Sequence, residues 1–61
     1  MTKNEALALT NARMYVVAGL RDTAARALSA LIRAARTDAS RAELLAEARK
    51  LGVDRLPEFI V

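Results

Sequence analysis

Sixty-one residues with no cysteine, no histidine and a net charge of +3 allow one domain at most and remove the usual ligands of disulfide and zinc staples. A chain this short buries only about 60% of the surface exposed by its unfolded form, so a symmetric homodimer is the expected source of further burial. The apolar fraction is 54%, but 14 of those residues are alanine, the best helix former and a small contributor to burial, so the expected fold is all-α.

The first predicted helix covers residues 3–18. Thr2-Lys3-Asn4-Glu5 matches a capping box, in which a hydroxyl and a carboxylate satisfy helix-start amides reciprocally. At about 100° per residue, Leu9, Ala12, Val16 and Leu20 form one stripe, with Lys3, Thr10, Asn11 and Arg21 mostly opposite. Leu7 and Met14 intrude on that polar side. The first helix should therefore make contact on two sides, once within the subunit and once with a partner.

The second predicted helix covers 22–36 and carries the cleanest amphipathic signal. Ala24, Ala27, Leu28, Leu31, Ile32 and Ala35 share one face, while Asp22, Arg26, Ser29, Arg33 and Arg36 share the other. Its apolar stripe is out of register with that of the first helix. A break near Gly19–Asp22 is expected, with Asp22 or Thr23 as cap.

After a short Thr37-Asp38-Ala39 connection, Ser40-Arg41-Ala42-Glu43 reads as a second capping box and opens a third helix over 40–51. Leu44, Leu45, Ala48 and Leu51 form its apolar stripe. Gly52 stands where a glycine would stop it, with Val53 as the hydrophobic contact that often follows. The tail 54–61 is apolar enough to fold back, with Phe59-Ile60-Val61 packing toward Leu44 and Leu51. The expected subunit is a small helical hairpin or three-helix unit that dimerises through the first helix and the Ala/Leu face of the second. Leu9, Val16, Leu20, Leu28, Leu31, Leu44 and Leu51 are its expected core and dimer residues.

Met14-Tyr15-Val16-Val17-Ala18-Gly19-Leu20 admits a second reading, as a strand at 14–20. From Leu20 onward the sequence resembles the Arc/MetJ-type ribbon-helix-helix repressors. Their strand ends in an apolar residue followed eight positions later by a leucine, as Leu20 and Leu28 are, and SRAELLAEA at Ser40–Ala48 resembles the Ser-led start of their second helix. That resemblance implies paired strands in the DNA major groove, reading bases through Arg13, Tyr15 and Val17 or through the opposite set beginning at Met14. Only Arg13 in the first set is a good base reader, and the capped alanine-rich segment before Met14 favours a continuing helix. The start MTKNEALALTNAR also resembles the plasmid RNA-binding Rop-type dimers, from which only the idea of a dimeric helical hairpin carries over. Ala48 with Gly52-Val53 is similar to helix-turn-helix spacing, but Pro57 and the end of the sequence leave no room for a recognition helix.

The residue types give little support to enzyme chemistry. Seven carboxylates without His or Cys provide no obvious acid–base pair, Ser29 and Ser40 have no evident general base, and two isolated glycines make no phosphate loop. Glu43 and Glu47, one turn apart, read as a solvated face with Lys50 nearby rather than a metal site. No cofactor or metal is expected. No secretory leader is evident, and the longest apolar run, MYVVAGL, is far short of the roughly 18–20 residues that span a bilayer. The expectation is a soluble cytoplasmic protein with no membrane contact.

What remains is binding. Residues 1–37 hold six basic groups against two acidic ones, and residues 38–61 four against five. Arg26, Ser29, Arg33 and Arg36, with Tyr15 as the one tyrosine, are the expected partner-binding residues, suited to a larger, acidic-surfaced host protein. Nucleic acid is the second expected partner of the arginines. The expected function is a non-enzymatic regulator of the phage- or plasmid-type inhibitor kind, such as an anti-activator of a host regulator. The alternative is a ribbon-helix-helix DNA-binding repressor.

Overall fold

In the computed structural model, which describes all 61 residues, the chain forms three helices, α1 (Lys3–Val17), α2 (Arg21–Ala34) and α3 (Asp38–Leu51), and no strand. The fold is all-α, as composition and periodicity predict. α1 starts where its capping box places it. Thr2 Oγ1 accepts from the Glu5 N–H at 3.1 Å, and a Glu5 carboxylate oxygen accepts from the Thr2 N–H at 2.7 Å.

Residues 14–20 correct the strand reading. Met14–Val17 close α1, and Ala18-Gly19-Leu20 turn the chain into α2. Gly19 has φ +82°, its N–H donates to Val16 O at 3.0 Å, and the Leu20 N–H donates to Tyr15 O at 2.8 Å. That pair of bonds is the Schellman arrangement, in which a glycine of positive φ lets the last carbonyls of a helix find donors. With Met14–Val17 helical and Ala18–Leu20 in a turn, these residues form no strand, and the fold is not the ribbon-helix-helix one.

Two expected caps are replaced. Neither Asp22 nor Thr23 caps α2, because Gly19 ends α1 so abruptly that α2 is already under way at Arg21, with Leu20 at its N-cap and no side-chain cap bond. Nor does Ser40 open α3. Ala35 turns to extended backbone (φ −63°, ψ 135°) and ends α2 early, so Thr37 becomes the N-cap and accepts from the Ser40 N–H at 3.1 Å. The connection is Ala35-Arg36-Thr37. At the far end of α3, Gly52 adopts φ +73°, its N–H donates to Arg49 O, the Val53 N–H donates to Ala48 O, and Val53 is buried. This is a second Schellman stop, at the glycine the sequence marks.

α2 lies between the other two helices. Its apolar side contributes Ala24, Ala25 and Leu28 to a core cluster with Leu9, Ala12, Ala48 and Val53. It also contributes Ile32, adjoined by Ala35, to a smaller cluster with Leu44. Phe59 from the folded-back tail packs against both clusters, which joins them. Ala12, Ala24, Ala25 and Ala48 are all fully buried, and such small contact residues suit a short interhelical distance. The Ala/Leu face of α2 is therefore used up inside the subunit, which corrects its assignment to a dimer surface.

α1 and α3 run in the same direction and meet through polar side chains. The Ser40 hydroxyl donates to Glu5 Oε1 at 3.1 Å, Arg13 donates to Glu47 Oε1 at 2.7 Å, and the N-terminal ammonium lies 3.4 Å from Glu43. The Thr2 backbone hydrogen bond, followed by that from Ser40, holds Glu5 below the ordinary carboxylate value of 4.5. The Arg13 hydrogen bond, aided by Lys50, does the same for Glu47. A carboxylate with a depressed folded-state pKa stabilises the fold above its unfolded value and loses that contribution as pH falls through the folded one. The melting temperature should thus hold near neutrality and drop once pH passes below 4.5. Ser40→Ala and Arg13→Gln should each flatten the drop in a circular-dichroism melt series, and a wild-type profile flat through that window would rule out this seam.

Candidate binding surfaces

Three surfaces come from the sequence pattern: the outer side of α1, the arginine side of α2, and the Glu43/Glu47 turn of α3. The structure treats them differently.

α1 buries Leu9 and Ala12 and packs Val16 against the same cluster. Around the helix from these, Lys3, Leu7, Thr10, Asn11, Met14, Val17 and Ala18 are all exposed. Leu7 is 58% exposed, Met14 62% and Val17 89%. Leu20, expected in the core or at the dimer contact, is also half exposed and stands outside the subunit's core, because the Gly19 turn carries it off the α1 stripe. Leu28 and Leu44 are fully buried, while Leu51 lines the first cluster and Leu31 the second. Tyr15 sits at the edge of the α1 outer face, just over a third exposed. Val17, read from sequence only as a strand position, is the most exposed large apolar side chain of all; its signal was the step of three from Met14.

The arginine side of α2 does not survive as one stripe. Ser29 is buried, which corrects its assignment as a partner-binding residue. Its hydroxyl donates to Ala25 O at 2.7 Å and accepts from the Ile60 N–H at 2.9 Å, so it holds the tail. Arg26 and Arg33 remain exposed on either side of that junction and line, with Pro57, Glu58 and Ile60, an open depression of about 500 Å³. Arg26 is partnered by Asp22 at 3.7 Å across one helical turn, a solvated contact of small energy. Arg36 has left the helix and turns instead toward the start of α1, bordering a hollow with Thr2, Glu5 and Ser40. A second open depression, about 410 Å³, has an apolar lining of Ile32, Ala42, Leu45 and Val61 between Arg33 and Arg41. Ile60 and Val61 are mostly exposed beside these arginines.

Glu43 and Glu47 do not converge. Glu43 faces the N-terminus, Glu47 is engaged by Arg13 and Lys50, and no group of three acidic side chains gathers where a metal ion could sit. No helix is long and apolar enough to cross a membrane.

No protein-family model matches the chain, and no curated protein or solved structure matches it.

Proposed function

We propose that this chain is a small non-enzymatic regulatory protein that acts by binding another protein, and that it does so as a homodimer. The observation that carries this reading is the two-sided character of α1. Its inner side is committed to the core, while Leu7, Met14 and Val17 lie uncovered on the outer side. Contiguous exposed apolar surface on a small protein marks a place of contact.

The second partner is a larger host protein with an acidic surface, met by Arg26 and Arg33 with the exposed Ile60 and Val61 beside them. Exposed guanidinium groups next to aliphatic side chains suit an interface in which charge steers the encounter and apolar contact holds it. In its most concrete form the protein is a cytoplasmic inhibitor of the phage or plasmid type, covering the DNA-binding part of a transcription regulator. The small alanine- and arginine-rich composition supports that form.

Affinity capture from a host lysate, with and without nuclease, tests the reading. A stoichiometric protein partner that withstands nuclease and is lost with Arg33→Glu is expected. Recovery of nucleic acid alone, with affinity falling steeply as salt is added, overturns the reading in favour of nucleic-acid binding by the arginines.

A further inference from the structure

We infer that the outer face of α1 recognises a second copy of itself, the two α1 helices pairing antiparallel about a two-fold axis between Thr10 and Asn11. This rests on the homodimer of the preceding reading and specifies how that dimer is made.

Lys3, Leu7, Thr10, Met14 and Val17 follow one another in steps of four, three, four and three, and all are exposed. That alternation is the seam of a two-helix coiled coil. It occupies the side of α1 turned away from Leu9 and Ala12, so pairing along it disturbs nothing inside the subunit.

A two-fold interface requires each residue to meet a residue that suits it when the order is reversed. Reversal about the point between Thr10 and Asn11 sets Leu7 against Met14 of the second copy, and Thr10 against Asn11. It sets Lys3 against Ala18 and Asn4 against Val17. Met1 and Leu20, both close to half exposed, fall opposite one another just beyond the helix ends. Leu7 meets Met14, Met1 meets Leu20 and the two central polar side chains meet each other, while Val17 lies across from Asn4.

Charge chooses the direction. Lys3 is the one charged residue on the face, since Glu5 is engaged by Ser40 and Arg13 by Glu47. Parallel pairing would bring the two lysines together. Antiparallel pairing instead carries each to the C-terminal end of the other α1. That end bears partial negative charge and has no basic residue in its last turn. An acidic host protein would find a single cation here, whereas the α2 side offers it Arg26 and Arg33. A second copy is the better occupant.

Size sets the affinity. A helix of 15 residues is about 22 Å long, and one face of it covers less than the roughly 800 Å² per partner of a standard interface. Dissociation in the micromolar range is expected.

The chain has no cysteine, so an introduced one reports alone. Under mild oxidation above the dissociation constant, Thr10→Cys is expected to cross-link to itself. Leu7→Cys and Met14→Cys should each fail alone yet cross-link when mixed. Met14→Glu should give a monomer by sedimentation with its helical circular dichroism intact, because Met14 is not part of the core. Self-cross-linking of Leu7→Cys would overturn the inference in favour of parallel pairing. A wild-type chain that stays monomeric well above micromolar concentration would overturn it too. Protein capture through Arg33 is measured separately, so its loss with the cross-links intact sinks only the host-partner reading. Monomers that still capture protein sink the homodimer and its α1 pairing and leave the host-partner reading standing.

Discussion

Leu28→Ala is expected to cost about 3–5 kcal/mol and to leave much of the chain unfolded at room temperature. A chain of 61 residues has roughly 3–9 kcal/mol of stability at typical values per residue, so a single change of this size removes most of it. Leu28 is fully buried on the central helix, and only Leu44, Val53 and Ser29 are comparable fully buried side chains of any size. Its neighbours in the cluster include Ala12, Ala24, Ala25 and Ala48. Alanines have no rotamers with which to refill a void, and their close approach leaves the helices no slack, so the cavity should persist rather than collapse. Leu7→Ala supplies the contrast, since Leu7 is mostly exposed. It should leave subunit stability within about 0.5 kcal/mol while weakening self-association. Denaturation of both variants followed by circular dichroism, at matched concentrations because dimerisation shifts the midpoint, decides the matter. A loss below about 1 kcal/mol for Leu28→Ala would mean that the alanine-rich core repacks freely, contrary to this account.

Local signals in the sequence survive folding where the groups that answer them are also local. The Thr2/Glu5 capping box and the Gly52–Val53 stop are built within a few residues and form as read. MYVVAGL was open to two readings because its β-branched and aromatic residues suit a strand, and only the hydrogen bonds that follow Gly19 decide for a helix end. Thr37 and Ser40 both offer a hydroxyl three residues before a possible partner. The choice follows the early end of α2 at Ala35, and the Ser40 hydroxyl goes instead to the carboxylate of Glu5, 35 residues away in sequence.

The arginine stripe fails for a similar reason. A helical wheel drawn through Arg36 assumes that α2 persists, yet no Gly or Pro announces the extended backbone at Ala35. Ser29 sits one residue beyond Leu28, about 100° around the helix, and reads as polar surface. Only the tail, arriving from 31 residues away, encloses it. The two-sided apolar character of α1 was legible because it belongs to the helix alone.

Phe59→Ala is expected to destabilise the fold by about 2–3 kcal/mol, less than for a wholly buried phenylalanine because Phe59 keeps part of its surface in water. Phe59 is the one side chain that packs against both core clusters. Its own N–H donates to Leu56 O at 2.9 Å, and the next N–H, that of Ile60, donates to Ser29 at 2.9 Å. Removing the ring therefore does more than open a cavity, because it removes the anchor that holds those last turns in place. Ser29 keeps its bond to Ala25 O when the tail leaves, so release strands no buried hydroxyl and the tail should come away readily. The Ile60 amide should then exchange with solvent at close to the free-chain rate. A cysteine placed by Ser29→Cys should react with a thiol reagent far faster in the Phe59→Ala background than alone. With the tail gone, Arg26, Ser29 and Arg33 become the continuous polar face drawn from the sequence, so the tail is what divides that surface into separate depressions. Unchanged protection of Ile60 in Phe59→Ala would show that the Ser29 hydrogen bond holds the tail without the ring.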